Sequence, residues 1–268
     1  MRAQSRWGFA AVVAGLVWSS TAMAQEALAN PAFGPGEQSQ YRIRYLGMTA
    51  GTAQVTVGAP MKQWGQDVWP IVAVARSEAL IGVWPIKDKF VSYWQAPSQR
   101  VVGSDLHADE NGKRRRQRIK VQPDGKSALV VKQKEGEAPR ESVTEIPEGT
   151  LDVTGATFAL RNRELVVGGE YAYPVFTGSK SFTMRAKVEA REVLETELGK
   201  KEVFRMRVQA EFGGNLTSKR DMVAYFTTDT QHVPVRIEAE FALGTVVAEI
   251  TDYSPGRVEA VATAEKGG

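Results

Sequence analysis

From Gln40 onward the chain alternates. In Gln40-Tyr41-Arg42-Ile43-Arg44-Tyr45-Leu46 polar and apolar residues take turns, and in Thr52–Val57 the set Ala53, Val55, Val57 opposes Thr52, Gln54, Thr56. A period of two places one set on a buried face and the other in solvent, which predicts strands. Gly47 to Gly51 joins these two as a hairpin. Val68–Arg76 and Val83–Trp94 are more continuously apolar and suit sheet-centre strands. Val101–His107, Arg114–Val121 and Ser127–Gln133 follow, punctuated by Asn111-Gly112 and Asp124-Gly125. Such pairs supply the φ > 0 residues of tight turns. Lys134–Pro147 is charged and broken by proline, so an exposed excursion is expected there. Beyond residue 169 the alternation returns in Glu170–Thr177, Ser181–Val193, Glu202–Phe212, Asp221–Thr227, Val233–Glu240 and Val246–Tyr253.

One stretch breaks the rhythm. Leu151–Arg163 offers Asp152 or Thr154 as N-cap, and Val153, Ala156, Thr157 and Leu160 then follow helical i, i+3, i+4, i+7 spacing. Arg161 and Arg163 fall in the last turn, where cations suit the helix dipole. Gly168-Gly169 ends the segment. A helix this short needs tertiary packing to persist. The expected fold is therefore all-β: a curved antiparallel sheet, half-barrel or barrel, with one short helix packed on it. One sheet and two lobes joined near 134–150 both fit the pattern.

Composition changes the picture mainly at the N-terminus. Arg2 and Arg6 precede an apolar run from Trp7 to Trp18, and Thr21-Ala22-Met23-Ala24 ends in small residues. That is the pattern of a secretory signal peptide over residues 1–24, cut after Ala24. Its apolar core is shorter than the roughly 20 residues a membrane span needs. Losing Arg2 and Arg6 lowers the formal charge from +3 to +1, so the basic balance does not point to nucleic acid. The chain has no cysteine, which leaves no disulfides and no thiolate metal ligands. The expected address is the periplasm or exterior of a Gram-negative-like bacterium, without a transmembrane segment in the mature chain. Residues 25–35 are expected to be a flexible arm, 36–253 the β domain and 254–268 a flexible tail.

Several blocks also carry a family resemblance. These are Gly36-Glu37, Tyr41 through Gly47 with Ala50-Gly51-Thr52-Ala53, Asp152 through Arg161, and Ala224-Tyr225-Phe226-Thr227-Thr228-Asp229 with Val233-Pro234-Val235-Arg236-Ile237 and Gly244. In their order and spacing the chain resembles the DUF3108 family of exported bacterial proteins, a domain of unknown function, over roughly residues 36–253. The resemblance implies an envelope-associated β protein and brings no catalytic residues with it. Gly155 stands where a larger helix residue is expected.

Candidate chemistry is sparse. His107 and His232 are the only histidines and lie far apart, so neither a metal site nor a cofactor is expected. Asp221 and Asp229 flank an expected strand, and capping and turn roles explain Asp152 and Asp229 more simply than a pair of catalytic carboxylates. No nucleophile elbow, P-loop or zincin motif occurs, and no enzymatic activity is expected. The tryptophans of the mature chain, Trp64, Trp69, Trp84 and Trp94, fall in one window with Phe90 and Tyr93. Most suit a core, but aromatics on a concave sheet also stack on sugars or bind acyl chains. Trp84 and Trp94, with Tyr93 and Trp69, are the candidate ligand contacts. Arg114, Arg115 and Arg116 form the sharpest charge cluster, either a solvated hairpin strand or a contact for anionic surfaces. The expected partner is an amphipathic (lipid-like) or glycan component of the cell envelope; the alternative is an envelope protein for which this chain is a scaffold.

Overall fold

A single antiparallel ladder runs through both halves of the chain. The computed structural model describes residues 31–77, 85–212, 215–241 and 244–257. The first half contributes β1 (Gln38–Tyr45), β2 (Met48–Val57), β3 (Met61–Gln63), β4 (Gln66–Ser77) and β5 (Ile86–Gln95). It continues with β6 (Arg100–Glu110), β7 (Lys113–Val121), β8 (Ser127–Lys134) and β9 (Arg140–Glu145). After helix α1 (Val153–Arg161) come β10 (Glu170–Phe176), β11 (Ser181–Thr196), β12 (Gly199–Phe212), β13 (Asn215–Thr227), β14 (Pro234–Phe241) and β15 (Gly244–Ser254).

The strand order is β10-β11-β12-β13-β14-β15-β1-β2-β4-β5-β6-β7-β8-β9, with β3 paired to β4. The expected all-β class with one short helix is what the chain adopts. The two halves are not separate lobes, because β1 pairs with β15 and makes the sheet continuous. Two strands differ from the sequence reading. β9 lies inside the charged stretch expected to be an excursion, and its residues are almost all exposed, so the alternation that betrays a buried face is missing. β3 is only three residues long, too short for a periodic signal.

The sheet does not close through its own ladders. β9 and β10 end the path, and the gap between them is bridged by the segment entering α1. Leu151 forms a parallel bridge with Val175: its N–H donates to the Pro174 carbonyl (2.9 Å) and its carbonyl accepts from Phe176 N–H (2.9 Å). Across the same seam Gln117 Nε2 donates to the Thr177 carbonyl at 2.9 Å.

Helix α1 packs against the inner face of the sheet. Ala156, Phe158, Ala159 and Leu160 share one core with Val175, Met184, Val188, Met206 and Phe226 of the second half and with Val57, Ile71 and Trp94 of the first. Burying Phe158 and Leu160 stabilises by about 1.5–3 kcal/mol each, which a nine-residue helix needs since it would be marginal alone. The buried surface is broader than the stripe that spacing alone defines, and Val153 at its edge is 45% exposed. Gly155 is explained by proximity: a Cβ there would lie 2.3 Å from Val101 Cγ2. The helix approaches β6 too closely for any side chain at that position.

Arg161 lies in the last turn of α1, as expected, and its side chain is turned inward: it is 1% exposed. Its guanidinium forms a fork with Glu37, Nη1 to Oε1 at 2.6 Å and Nη2 to Oε2 at 3.0 Å. Nε donates to the Gln231 carbonyl (3.0 Å) and Nη2 to the Ala32 carbonyl (3.3 Å). The Phe33 and Phe158 rings flank it, 5.3 and 4.9 Å from their centroids. Residues 31–35 of the expected flexible arm are therefore not loose: Ala32 and Phe33 are core residues, and Ala32 N–H donates to Asn162 Oδ1 at 2.9 Å. The start of the expected flexible tail is held too, through Arg257 N–H to the Pro35 carbonyl at 2.9 Å.

Candidate functional site

Strand register builds the site. Phe90 on β5 faces Leu106 on β6, which faces Gln117 on β7; one step along, Ser92 faces Ser104 and Ser104 faces Ile119. Alternation keeps Phe90, Leu106, Ser104, Ile119 and Gln117 on one side of the sheet. The bridge at Leu151 sets the first turn of α1 opposite them. Between the two lies a cavity of about 410 Å³. Phe90, Leu106, Ile119, Val153 and Phe176 give it apolar walls, and Arg115, Gln117, Thr177 and Ser179 supply polar groups. Toward Val101, Val121 and Ile146 it narrows to a recess of about 10 Å³ that shares Ser104, Ile119, Asp152 and Phe176. The larger space is of the size that holds small organic ligands.

Asp152 faces this cavity and is 6% exposed. It is the N-cap of α1, with Oδ1 accepting from Gly155 N–H at 2.7 Å. Burial pushes its carboxyl up to about 6, a rise tempered by the Gly155 and Thr154 N–H groups and by the nearby Ser92 hydroxyl. Asp152 Oδ2 and Ser92 Oγ are both buried with no hydrogen-bond partner. Buried polar atoms are rarely left so, and when they are they mark a place for water or ligand.

These elements lie within the span of one known family. The family described as protein of unknown function (DUF3108) matches residues 40–251. The chain belongs to the DUF3108 family. No curated protein matches the sequence. Among solved structures the DUF3108 chain is similar to the beta-barrel-like protein of domain of unknown function DUF1849 from Brucella abortus, with a TM-score of 0.56 and 8% identity over 84% of this chain and 99% of that one. At that identity the likeness speaks for the fold alone. A Bacteroides fragilis chain described as exported, with a YmcC-like fold, aligns at 8% identity over 84% of this chain and 98% of its own, with a TM-score of 0.31. A Parabacteroides distasonis chain described as a lipoprotein aligns at 9% over 84% and 99%, also at 0.31. Neither score is high enough to speak for a shared fold.

The described tryptophans of this DUF3108 member, Trp64, Trp69 and Trp94, do not gather around a cleft. Trp94 is 1% exposed and packs on Phe33, ring centroids 5.7 Å apart. Trp69, its cross-strand partner, meets the same Phe33 edge-on at 6.1 Å. Both serve the core, leaving Trp94 no surface for a ligand. Tyr93 points to the other side of the sheet, where it packs on Trp64 at 5.4 Å and donates its hydroxyl to Asp105 Oδ2 at 2.8 Å. Burial and that carboxylate push its phenol up to about 12. Trp84 lies outside the described residues.

Of the arginine cluster, Arg114 pairs with Asp109 (3.2 Å) and Glu135 (3.3 Å), and Arg115 with Glu110 (2.7 Å). Arg116 is exposed on the opposite face from Arg115, as alternation requires. His107 is exposed, whereas His232 Nδ1 lies 2.8 Å from the Arg161 carbonyl at the helix end. Asp229 accepts from Thr227 Oγ1 (2.8 Å) and Gln231 N–H (3.0 Å), a turn role. The side chain of Asp221 lies outside the described residues. Among the described residues no group of three or more His, Cys, Asp or Glu is placed to hold a metal, and no helix is long and apolar enough to cross a membrane. Sequence reasoning gave Asp152 only a capping role. Phe90 was visible within the aromatic window, but nothing local marks Ser92, Ser104 or Leu106, which meet Asp152 only through the seam.

Proposed function

We propose that this chain is an exported, non-enzymatic protein of the bacterial cell envelope that binds an amphipathic, lipid-like ligand in the seam cavity. The observation that carries the reading is the cavity itself. It combines apolar walls from β5, β6 and α1 with a few converging polar groups, the composition that suits a molecule with an apolar body and a polar group. The leader-like N-terminus supports the compartment. Trp64, Trp69 and Trp94 do not line this cavity.

Organic extraction of the protein purified from an envelope fraction, followed by mass spectrometry, tests this. An amphiphile should co-extract at near-stoichiometric amount and be lost from Leu106→Trp and Val153→Trp, each of which fills the cavity. Val153 is already exposed on the helix, so its substitution spares the core. Amphiphile retained equally by both folded variants, or none in any preparation, would refute the reading. A second reading, a scaffold for an envelope protein, is favoured by one observation. Among the described residues β9 pairs only with β8, leaving an outer edge on which Val143 is 67% exposed. Such an edge can accept a strand from a partner. Crosslinking from an Arg140–Glu145 photoprobe to a protein in envelope extracts would support it.

A further inference from the structure

Resting on the ligand-cavity reading, the side-chain inventory of the seam says which chemical group the cavity receives. Two buried polar atoms there are unpaired, Asp152 Oδ2 and Ser92 Oγ. Ser104, the cross-strand partner of Ser92, lines the same floor. A carboxylate oxygen only accepts, so the group that completes Asp152 must donate. A donor can be a cation or a neutral hydroxyl, and two features favour the neutral one. Arg115, already paired with Glu110, lines the same cavity, so a cation entering there would be the second at the site. The Asp152 carboxylate already accepts from the helix N-terminus, which offsets part of its charge. A carboxylate or phosphate at the floor would face Asp152 itself and is disfavoured by like charge.

We propose that Asp152 Oδ2, backed by Ser92 and Ser104, accepts a hydrogen bond from the hydroxyl group of an amphiphile whose apolar body lies along Phe90, Leu106 and Phe176. The hydroxyl can accept in turn from Ser104 Oγ, which lines the same cavity. Asp152 has two faces in this arrangement: Oδ1 holds the helix, and Oδ2 selects the ligand. Gln117, Thr177 and Ser179 add further polar groups to the lining.

Calorimetric titration with probes that share one tail separates the possibilities. At pH 7.5, 1-octanol should bind at least about tenfold more tightly than 2-octanone, the order of a hydrogen bond to a charged acceptor. Asp152→Asn keeps the cap, since Asn serves as well at that position, but turns an amide donor into the cavity. The preference should then shrink or reverse in favour of 2-octanone. At pH 5 the wild type should move the same way, because a protonated Asp152 can itself donate; a merely structural Asp152 would produce neither swap. Equal binding of both probes, abolished by Val153→Trp, would overturn the hydroxyl assignment while leaving the cavity reading intact. Failure of every octyl probe to bind would overturn both. Octylammonium binding more tightly than 1-octanol would overturn the assignment in favour of a cation site. Glycerol binding as tightly as 1-octanol would uphold the hydroxyl and assign it to a free polyol; no glycerol binding would assign it to a lipid.

Discussion

Replacing Arg161 with methionine should destabilise the fold far more than the loss of a charge at a helix end. The guanidinium holds both oxygens of Glu37 and the carbonyls of Gln231 and Ala32, with Arg161, Glu37 and Ala32 all buried. With the arginine gone, Glu37 keeps only a long contact from the Tyr253 hydroxyl at 3.4 Å. Removing one member of a buried ion pair costs about 3–5 kcal/mol, because the other charge is left without compensation. For a domain of this size that lowers Tm by roughly 10 °C. Glu37→Met strands the arginine and should cost a similar amount. The double variant Glu37→Met/Arg161→Met removes both charges, and its cost should fall well below the sum, with a coupling of about 3 kcal/mol. Urea unfolding followed by tryptophan fluorescence reads this directly, since Trp94 sits beside Phe33 at the same corner. If Arg161→Met costs less than about 1 kcal/mol, or the double variant equals the sum of the singles, then the pair does not fasten α1 to the start of the sheet.

Gly155→Ala should destabilise despite the roughly 1 kcal/mol that alanine adds to helix propensity, because its Cβ would collide with the stiff Val101 side chain. Gly155→Ala/Val101→Ala should recover part of the loss in the same urea assay, and a stabilising Gly155→Ala single variant would contradict the close approach of α1 and β6. Asp152 gives a pH signature. Its folded carboxyl is raised from 3.8 to about 6, so the folded state holds this proton more tightly than the unfolded state does. The associated stability is fully present below about pH 4 and is lost as pH rises to about 6, by up to about 3 kcal/mol. Urea midpoints of wild type relative to Asp152→Asn should fall across that window and level off above it; a relative gain with rising pH would show that the ionised cap is the favoured form.

Much of this architecture is written in local pattern. Alternation located most of the strands because one face of each is buried, and Asp152 announced the start of α1 because a cap is a local device. β9 escaped because it is a solvated edge on which neither face is apolar. Arg161 escaped for a different reason. An arginine in a last helical turn reads as a surface charge, and only the return of Glu37 from the far end of the chain turns it inward. The site was legible in fragments. Phe90 stood in the aromatic window and Asp152 at the helix start, but their meeting depends on the Leu151–Val175 bridge, a contact between segments that no periodicity links. The tryptophans drew attention as ligand contacts because size and clustering are visible in sequence, while the Phe33 ring that covers Trp69 and Trp94 comes from a segment that looks like an untethered arm.

The pairing of β1 with β15 has a consequence for how the chain must be assembled. A polypeptide that emerges amino end first presents β1 with one flank vacant, and the strand that fills it is the last to appear. Until then the early meander has a raw margin open to stray association, and the break at the seam lies in mid-chain, where both neighbours already exist. The middle of the sheet is thus made by an early strand meeting a late one, and clipping β15 should undo the join that makes the halves one body.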